Sequence, residues 1–99
     1  MIVIAATFHA IPGREAELES ALLEMLPAAA EEAGTLEYVI HRSRDNAGVF
    51  FLYEKYADQA ALDAHMASPA LKTLLERIPQ LYTKDPTIEF CMPIGSVRA

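Results

Sequence analysis

The sequence has only one cysteine and no tryptophan, and its four glycines stand apart from one another. A single cysteine, Cys91, cannot form a disulfide within the chain, so we expect a reducing compartment and a cytoplasmic location. The glycines, Gly13, Gly34, Gly48 and Gly95, do not form the glycine-rich loop that cradles phosphates. Their isolation therefore disfavours a nucleotide cofactor.

Positive charge and long apolar runs are also scarce. Eight basic residues against 14 acidic residues give a net charge of −6 at pH 7, which repels phosphate backbones and anionic lipid. No segment approaches the length of a membrane span. The apolar run after Met1 is too short, and lacks the basic residues, for a signal peptide. We therefore expect neither nucleic acid nor a membrane as a partner.

Hydrophobic residues, in contrast, are abundant. They make up 53% of the chain, against roughly 45–50% in an average soluble domain even when glycine is counted. With 99 residues, the chain has the size of one domain, which we predict to cover residues 1–99. Because so short a chain buries a limited share of its surface, the apolar excess favours a subunit interface.

The first part of the chain predicts a strand and a long helix. Residues 2–9 are apolar on both alternations, which is typical of a strand covered on both faces. Leucine, alanine and methionine then recur at spacings of three and four between Arg14 and Ala33, which predicts an amphipathic helix. Pro27 lies inside this helix and should bend it. Gly34 is well placed to end it in the left-handed conformation.

The second part predicts a hairpin, two short helices and a last strand. The alternating segment Leu36 to Arg42 and the apolar segment starting at Val49 are joined by a polar turn, as in a β-hairpin. The later elements are a helix over 58–66 capped by Asp58, a helix from Ser68-Pro69 to Pro79, and a strand over 87–92 with Cys91 as an interior thiol.

The predicted order is strand, helix, strand, strand, a helix in two parts, and strand. This order is typical of the α+β class with a ferredoxin-like split βαβ arrangement, in which helices cover one face of an antiparallel sheet. The other face is left open. Because the first strand is apolar on both sides, we expect that face to pack against a second copy in a two-fold homodimer.

Two titratable side chains are predicted to meet between the sheet and the helices. In a strand over 49–56, the side chains of Phe50, Leu52, Glu54 and Tyr56 share one face. If that face lies under the 58–66 helix, Glu54 and His65 both reach the space between the two layers. A carboxylate and an imidazole would then share an apolar pocket.

The residues in this part of the chain resemble a known family. The segments Gly34-Thr-Leu-Glu-Tyr38, Val49-Phe-Phe-Leu-Tyr-Glu54-Lys-Tyr56 and Asp58-Gln-Ala-Ala-Leu62-Asp-Ala-His65-Met-Ala-Ser68-Pro69 resemble the antibiotic biosynthesis monooxygenase domain, most closely its small quinol monooxygenase branch. The resemblance extends from about residue 2 to residue 93. It implies a dimeric α+β barrel and the oxygenation of electron-rich aromatic molecules without flavin, haem or metal.

The resemblance also assigns residues, and it has departures. Glu54, Tyr56 and His65 stand where the family motif has its acid, aromatic residue and histidine. Relatives often have histidine where this chain has Ala70, and tryptophan where it has Tyr56. The lack of tryptophan argues against the haem-degrading branch. These departures bear on the substrate more than on the fold.

An oxygenase without a cofactor must take electrons from its substrate. A quinol reacts with O₂ readily only once it is deprotonated, and its pKa resembles that of tyrosine, about 10. The site therefore needs a base, an apolar cavity and donors for the oxyanion. We predict His65 as the base and Glu54 as its orienting or proton-holding partner. Tyr38 and Tyr56 are the candidate hydroxyl donors. Tyr53 is a weaker third candidate because its side chain should face away from Glu54. Phe50 and Leu52 complete the predicted substrate site.

Other interpretations stay open at this point. Glu54 could be solvated or ion-paired, and His65 could be a core or capping histidine. His9 and His41 lack the spacing of metal ligands, so we expect no metal. The fold also hosts isomerases of small, sometimes phosphorylated hydroxyketones, which would need a cation such as Arg42 or Lys55 in the pocket. A dimeric ligand-binding module without catalysis is the third possibility.

Overall fold

The computed structural model describes residues 1–98 and contains one four-stranded antiparallel sheet. Its elements in chain order are β1 (Ile2–His9), α1 (Glu15–Leu23), α2 (Leu26–Glu31), β2 (Thr35–Arg42), β3 (Val49–Tyr56), α3 (Gln59–Met66), α4 (Pro69–Arg77), a 3₁₀ turn (Ile78–Gln80) and β4 (Thr87–Cys91). The strand order is β2-β3-β1-β4, which confirms the ferredoxin-like α+β prediction. No helix in residues 1–98 is both long and apolar enough to span a membrane.

The inner face of the sheet carries the core. On the central strand β1, Ile4, Ala6 and Phe8 are buried, and they lie opposite Glu54, Leu52 and Phe50 of β3. The helices cover this face and supply most of the leucines of the core, among them Leu18, Leu22 and Leu74. The strand alternation therefore places Glu54 in an apolar row that faces the helices.

A bulge in β2 decides which of its side chains face inward. Thr35 lies opposite Tyr56 and Tyr38 lies opposite Glu54, with a register shift between Thr35 and Glu37. Because one residue is extra, both Thr35 and Tyr38 face the helices, although they are three positions apart. Leu36, which the simple alternation puts on the inner face with Tyr38, is instead 46% exposed.

The predicted helix over 14–33 is interrupted and ends earlier than expected. α1 ends at Leu23 and α2 begins at Leu26, because Pro27 lacks a backbone N–H and fits only the first turn of a new helix. α2 ends at Glu31, and Glu32 has extended backbone angles. The prediction that Gly34 caps the helix in the left-handed conformation is wrong, since Gly13 is the one residue with positive φ within 1–98.

Gly34 has a different structural role. A Cβ atom at this position would lie 2.3 Å from the Cβ of Ala61 in α3, far inside the ordinary carbon–carbon contact distance of roughly 3.5–4.0 Å. Glycine therefore lets α3 pack directly on the backbone that leads into β2. This close approach brings α3 next to the end of α2.

The caps of the two short helices are as predicted. The Asp58 carboxylate accepts a hydrogen bond from the backbone N–H of Ala61 at 2.9 Å, which begins α3. The Ser68 hydroxyl accepts from the backbone N–H of Leu71, and Pro69 occupies the first turn of α4. Two successive N-caps thus separate the helices by a bend and set the direction of α3.

β4 lies at the edge of the sheet and is exposed along its whole length. Ile88 and Phe90 are 51% and 61% exposed, although they face the same side as Ala6 and Ile4. Cys91 is also exposed, so the prediction of an interior thiol is wrong for this chain on its own. The helices stop short of β4, which leaves its apolar side chains uncovered.

Candidate functional site

A pocket of about 340 Å³ lies between the inner face of the sheet and the helices α3 and α4. Most of its wall is aliphatic or aromatic. The apolar lining residues are Ile4, Ala6, Phe8, Leu52, Met66, Leu71, Leu74, Leu75, Ile78, Ile88 and Phe90. Three further residues in the wall, Tyr38, Glu54 and His65, carry polar groups.

The sheet register and α3 bring these three polar side chains together. Tyr38 and Glu54 are direct cross-strand partners on β2 and β3. His65 lies in the last turn of α3, and its ring centroid is 5.7 Å from that of Tyr38. Glu54 is 7% exposed and His65 2% exposed. The pocket therefore has one polar end and an otherwise apolar wall.

His65 contacts carboxylates through both ring nitrogens, at different distances. Its Nδ1 lies 2.9 Å from Oε1 of Glu32, within hydrogen-bond distance. Its Nε2 lies 3.8 Å from Oε1 of Glu54, which is too long for a hydrogen bond. The structure thus brings Glu54 and His65 into one site without joining them directly.

The Glu54 carboxyl group is buried and has one hydrogen-bond donor. The Tyr56 hydroxyl donates to Glu54 Oε1 at 2.6 Å. Burial raises the pKa of Glu54, because the charged form loses its hydration, and the nearby Glu32 charge raises it further. The Tyr56 hydrogen bond and His65 act in the opposite direction but do not reverse this pKa shift. Glu54 therefore holds a proton more readily than a carboxyl group in water.

The Tyr38 hydroxyl is the third polar group of the pocket. Within residues 1–98 the Tyr38 hydroxyl has no hydrogen-bond partner, whereas the Tyr56 hydroxyl donates to Glu54. Burial raises the pKa of Tyr38, and the charges of Glu54 and Glu32 add to the shift. Tyr38 thus keeps its proton and is free to donate it in a hydrogen bond to a bound molecule.

The other residues predicted to bind substrate occupy different places. Leu52 lies in the pocket wall. Phe50 is 1% exposed and packs in the apolar core, while Tyr56 is fully buried behind Glu54, with its ring 5.1 Å from that of His65. Tyr53 lies opposite Ala5 and faces the outer side of the sheet. Of these four, only Leu52 is in position to touch a molecule in the pocket.

Glu32 is the site residue that the sequence reasoning missed. The predicted helix ran through Ala33, which would have made Glu32 an ordinary helical glutamate. In the structure Glu32 follows the end of α2 in an extended conformation, and its carboxylate turns toward His65. The nearby Pro27 and Gly34 were signals that the helix is short and that its end approaches α3.

The two basic residues that an isomerase would need in the pocket, Arg42 and Lys55, are turned away from it. Arg42 binds Glu19 of α1, with Nε 2.7 Å from Oε1. Lys55 lies 3.4 Å from Glu37 on the outer face. Within the described part of the chain, no lysine or arginine lines the pocket. The same residues include no cluster of three or more His, Cys, Asp or Glu side chains arranged to hold a metal ion.

Comparison with known proteins gives a consistent result. The profile of the family described as antibiotic biosynthesis monooxygenase matches residues 1–77. Rv0793 of Mycobacterium tuberculosis is 26% identical over 98 residues, which cover 99% of this chain and 96% of that protein. The solved structure of Rv0793 superimposes with a TM-score of 0.90 over 97% of each chain.

Two other solved structures are similar. PA3566 of Pseudomonas aeruginosa is 26% identical, with a TM-score of 0.88 over 95% of this chain and 94% of that one. SO0527 of Shewanella oneidensis is 31% identical, with a TM-score of 0.85 over 91% of this chain and 87% of that one. The likeness therefore extends over nearly the whole sheet and helix layer.

Proposed function

Because the chain belongs to the antibiotic biosynthesis monooxygenase family, we propose that it is a cofactor-independent monooxygenase of a quinol or a similar hydroxylated aromatic molecule. The observation that carries the substrate class is the apolar pocket with Tyr38, Glu54 and His65 grouped in its wall. An aromatic ring fits the apolar part, and a ring hydroxyl reaches the polar end.

The size and lining of the pocket support a small aromatic substrate. A volume of about 340 Å³ is near the lower end of the range for ligand sites, roughly 300–1,000 Å³. The aliphatic wall also admits O₂, which is apolar. A substrate that is polar over its whole surface would leave hydrogen-bonding groups unsatisfied against Leu71, Leu74 and Ile78.

His65 is the proposed catalytic base. It is buried in the pocket wall, where an imidazole can accept the proton of a substrate hydroxyl. Removal of that proton makes the aromatic ring a better electron donor. The balanced reaction is quinol plus O₂ giving hydroxyquinone plus water: the substrate supplies all four electrons, and one oxygen atom enters the product.

Tyr38 is proposed to stabilise the negative charge of the deprotonated substrate, and Glu54 is proposed to hold a proton for a later step. The Tyr38 hydroxyl can donate a hydrogen bond to the substrate oxyanion, which stabilises it in an apolar site. Glu54, with its raised pKa, can hold a proton that is later delivered to the reduced oxygen. Tyr56 supports Glu54 from behind through its 2.6 Å hydrogen bond.

The pocket disfavours the phosphorylated-hydroxyketone isomerase. A phosphate group needs a cation or several N–H donors, and Arg42 and Lys55 are engaged elsewhere. A non-catalytic binding module stays the second candidate, because the same pocket would bind an aromatic ligand without turning it over.

The test is oxygen uptake by metal-stripped protein with a panel of hydroquinones and polycyclic phenols under ¹⁸O₂. We expect uptake above the protein-free rate and one labelled oxygen atom per product. His65→Gln and Glu54→Gln should each lower kcat by about 10²-fold or more, the range for general acid–base groups. His41→Gln and Glu37→Gln are matched controls, since both residues lie outside the pocket.

The outcomes separate the candidates. Labelled product that disappears in the His65 variant but not in the His41 variant supports the monooxygenase. Uptake at the protein-free rate across the panel, together with saturable binding of the same phenols, would instead support the binding module. Exchange of substrate hydrogens with solvent and no O₂ uptake would support an isomerase.

A second copy is proposed to cover the exposed apolar residues. Val39 and Phe51 on the outer face are each 39% exposed, and Ile88 and Phe90 on β4 are more exposed still. Val39 and Phe51 lie on the outer face, whereas Ile88 and Phe90 lie on the inner face at the edge strand β4, so the second copy is proposed to cover the outer face and this open edge. Light scattering after size exclusion should give twice the 10.9 kDa chain mass; a monomer at micromolar concentration would contradict the homodimer.

A further inference from the structure

The carboxylate of Glu32 is held between two hydrogen-bond donors. Its Oε1 accepts from the Thr35 hydroxyl at 2.7 Å and lies 2.9 Å from Nδ1 of His65. The Glu32 side chain is 18% exposed, and that of His65 is 2% exposed. Glu32 itself is not part of the pocket wall. It therefore contacts His65 on the ring edge that faces away from Glu54.

This geometry decides where the imidazole carries its hydrogen. A carboxylate accepts hydrogen bonds and cannot donate them, so Nδ1 of His65 must be the donor in the 2.9 Å contact. A neutral ring then has its lone pair on Nε2. Glu54 does not compete for control of the tautomer, because 3.8 Å is too long for a hydrogen bond.

We propose that Glu32 is the positioning residue of His65: it selects the Nδ1–H tautomer, fixes the ring and leaves Nε2 free to accept a proton in the pocket. Its negative charge also stabilises the imidazolium that forms when the proton arrives, as the buried carboxylate of a Ser-His-Asp triad does. The kinetic part of this inference rests on the proposed function, whereas the tautomer part does not.

The local chain explains why Glu32 can do this. The residue lies just after α2, where its extended backbone releases the side chain from the helix surface. The bulge in β2 turns Thr35 inward, where its hydroxyl holds the carboxylate. Gly34 lets α3 approach until His65 reaches hydrogen-bond distance. Three backbone features thus converge on one contact.

The first experiment reads the tautomer directly by ¹⁵N NMR of the imidazole nitrogens, at a pH where the ring is neutral. The chain has three histidines, and the His65→Gln variant identifies which signals belong to His65. We expect a protonated Nδ1 and an unprotonated Nε2 in the unchanged protein. Glu32→Ala and Glu32→Leu remove the acceptor and should each give a mixture of the two tautomers, whereas Glu32→Gln keeps an amide oxygen that can still accept from Nδ1–H.

The matched control is Glu31→Gln, which removes the same charge from the adjacent, exposed residue at the end of α2. It should leave the His65 signals unchanged. A single tautomer that persists in Glu32→Ala or Glu32→Leu would overturn the proposal, and so would an Nε2–H tautomer in the unchanged protein. If Glu32→Ala does not fold, Glu32→Leu, which keeps most of the side-chain volume but has no acceptor, still decides the question.

The second experiment compares kinetics on whichever hydroquinone the oxygen-uptake panel identifies. Because Glu32 does not line the pocket, Glu32→Gln should lower kcat by roughly 10²–10⁴-fold through loss of the charge that stabilises the imidazolium, and leave KM within about twofold. A raised KM with unchanged kcat would contradict a positioning role. If no hydroquinone is turned over, the proposed function fails while the NMR result still tests Glu32.

Discussion

Replacing Gly34 with alanine tests whether the contact between this residue and α3 holds the site together. The new Cβ would lie 2.3 Å from Cβ and 3.2 Å from Cα of Ala61, so α3 must move by about 1 Å to restore ordinary contact distances. Overpacking of this kind costs about 1–3 kcal/mol. The reduced freedom of the unfolded chain returns about 0.4–1 kcal/mol, which leaves a net loss of roughly 1–2 kcal/mol.

The assay is chemical and thermal unfolding of a double-mutant cycle. In a chain of this size, 1 kcal/mol corresponds to a change in Tm of about 4–8 °C, so Gly34→Ala should lower Tm by roughly 5–15 °C. Ala61→Gly alone should cost about 1 kcal/mol through helix propensity. The double variant removes the clashing Cβ, so it should be no less stable than Ala61→Gly alone, with a coupling energy of about 1–2 kcal/mol.

The cycle also has an outcome that refutes the reasoning. If Gly34 were needed for its backbone conformation, Ala61→Gly would not rescue Gly34→Ala, and the two losses would simply add. Oxygen uptake gives a second readout, because displacement of α3 moves His65 away from Glu32. Activity should fall in Gly34→Ala and return in the double variant.

Three further predictions concern neighbouring groups. Tyr56→Phe removes the donor at 2.6 Å from Glu54 and should lower the free energy of unfolding in urea by about 1–3 kcal/mol; an unchanged value would mean that this hydrogen bond has no net worth. Asp58→Ala removes the N-cap of α3 and should cost about 0.5–2 kcal/mol in the same assay. Glu54 has a raised pKa, so below the unfolded value of about 4.3 both states bind its proton. As pH rises past that value the unfolded state releases the proton first, so the free energy of unfolding falls until the pH passes the pKa of Glu54 in the folded state. Glu54→Gln should lack this loss of stability, and Glu37→Gln should keep it. Parallel profiles of stability against pH for all three proteins would contradict the raised pKa.

The sequence was sufficient for the fold because each element carries its own local signal. Alternation predicted β2, the apolar run starting at Val49 predicted β3, and the apolar stretch at residues 2–9 predicted the central strand. Asp58 and Ser68 predicted the starts of α3 and α4, since a capping side chain acts on backbone N–H groups two or three residues away. The order of these elements then leaves few topologies, and the ferredoxin-like order is the one observed.

The wrong predictions concern residues whose environment is set by a distant part of the chain. Gly34 looks like a helix cap from its neighbours, but its lack of a Cβ matters because of Ala61. Leu36 follows the alternation of β2, yet the bulge turns it outward. Cys91 sits in an alternating apolar strand, but it lies opposite Val3 on the face of the sheet turned away from the helices, so no helix covers it. In each case strand pairing or helix packing, rather than the local sequence pattern, set the environment of the residue.

The polar residues of the site also divide into those that the local sequence pattern predicts and those that it does not. Strand alternation was enough to place Glu54 toward the helices, and the spacing in α3 was enough to place His65 toward the sheet. Glu32 could not be found in this way, because its role depends on where α2 stops, on the inward turn of Thr35 and on the closeness that Gly34 permits. A histidine between two carboxylates, bonded to one at 2.9 Å and 3.8 Å from the other, is a property of three elements at once. If Glu32 positions His65 as proposed, the residues that set the helix end and the helix–sheet distance contribute to the chemistry as directly as those that line the pocket.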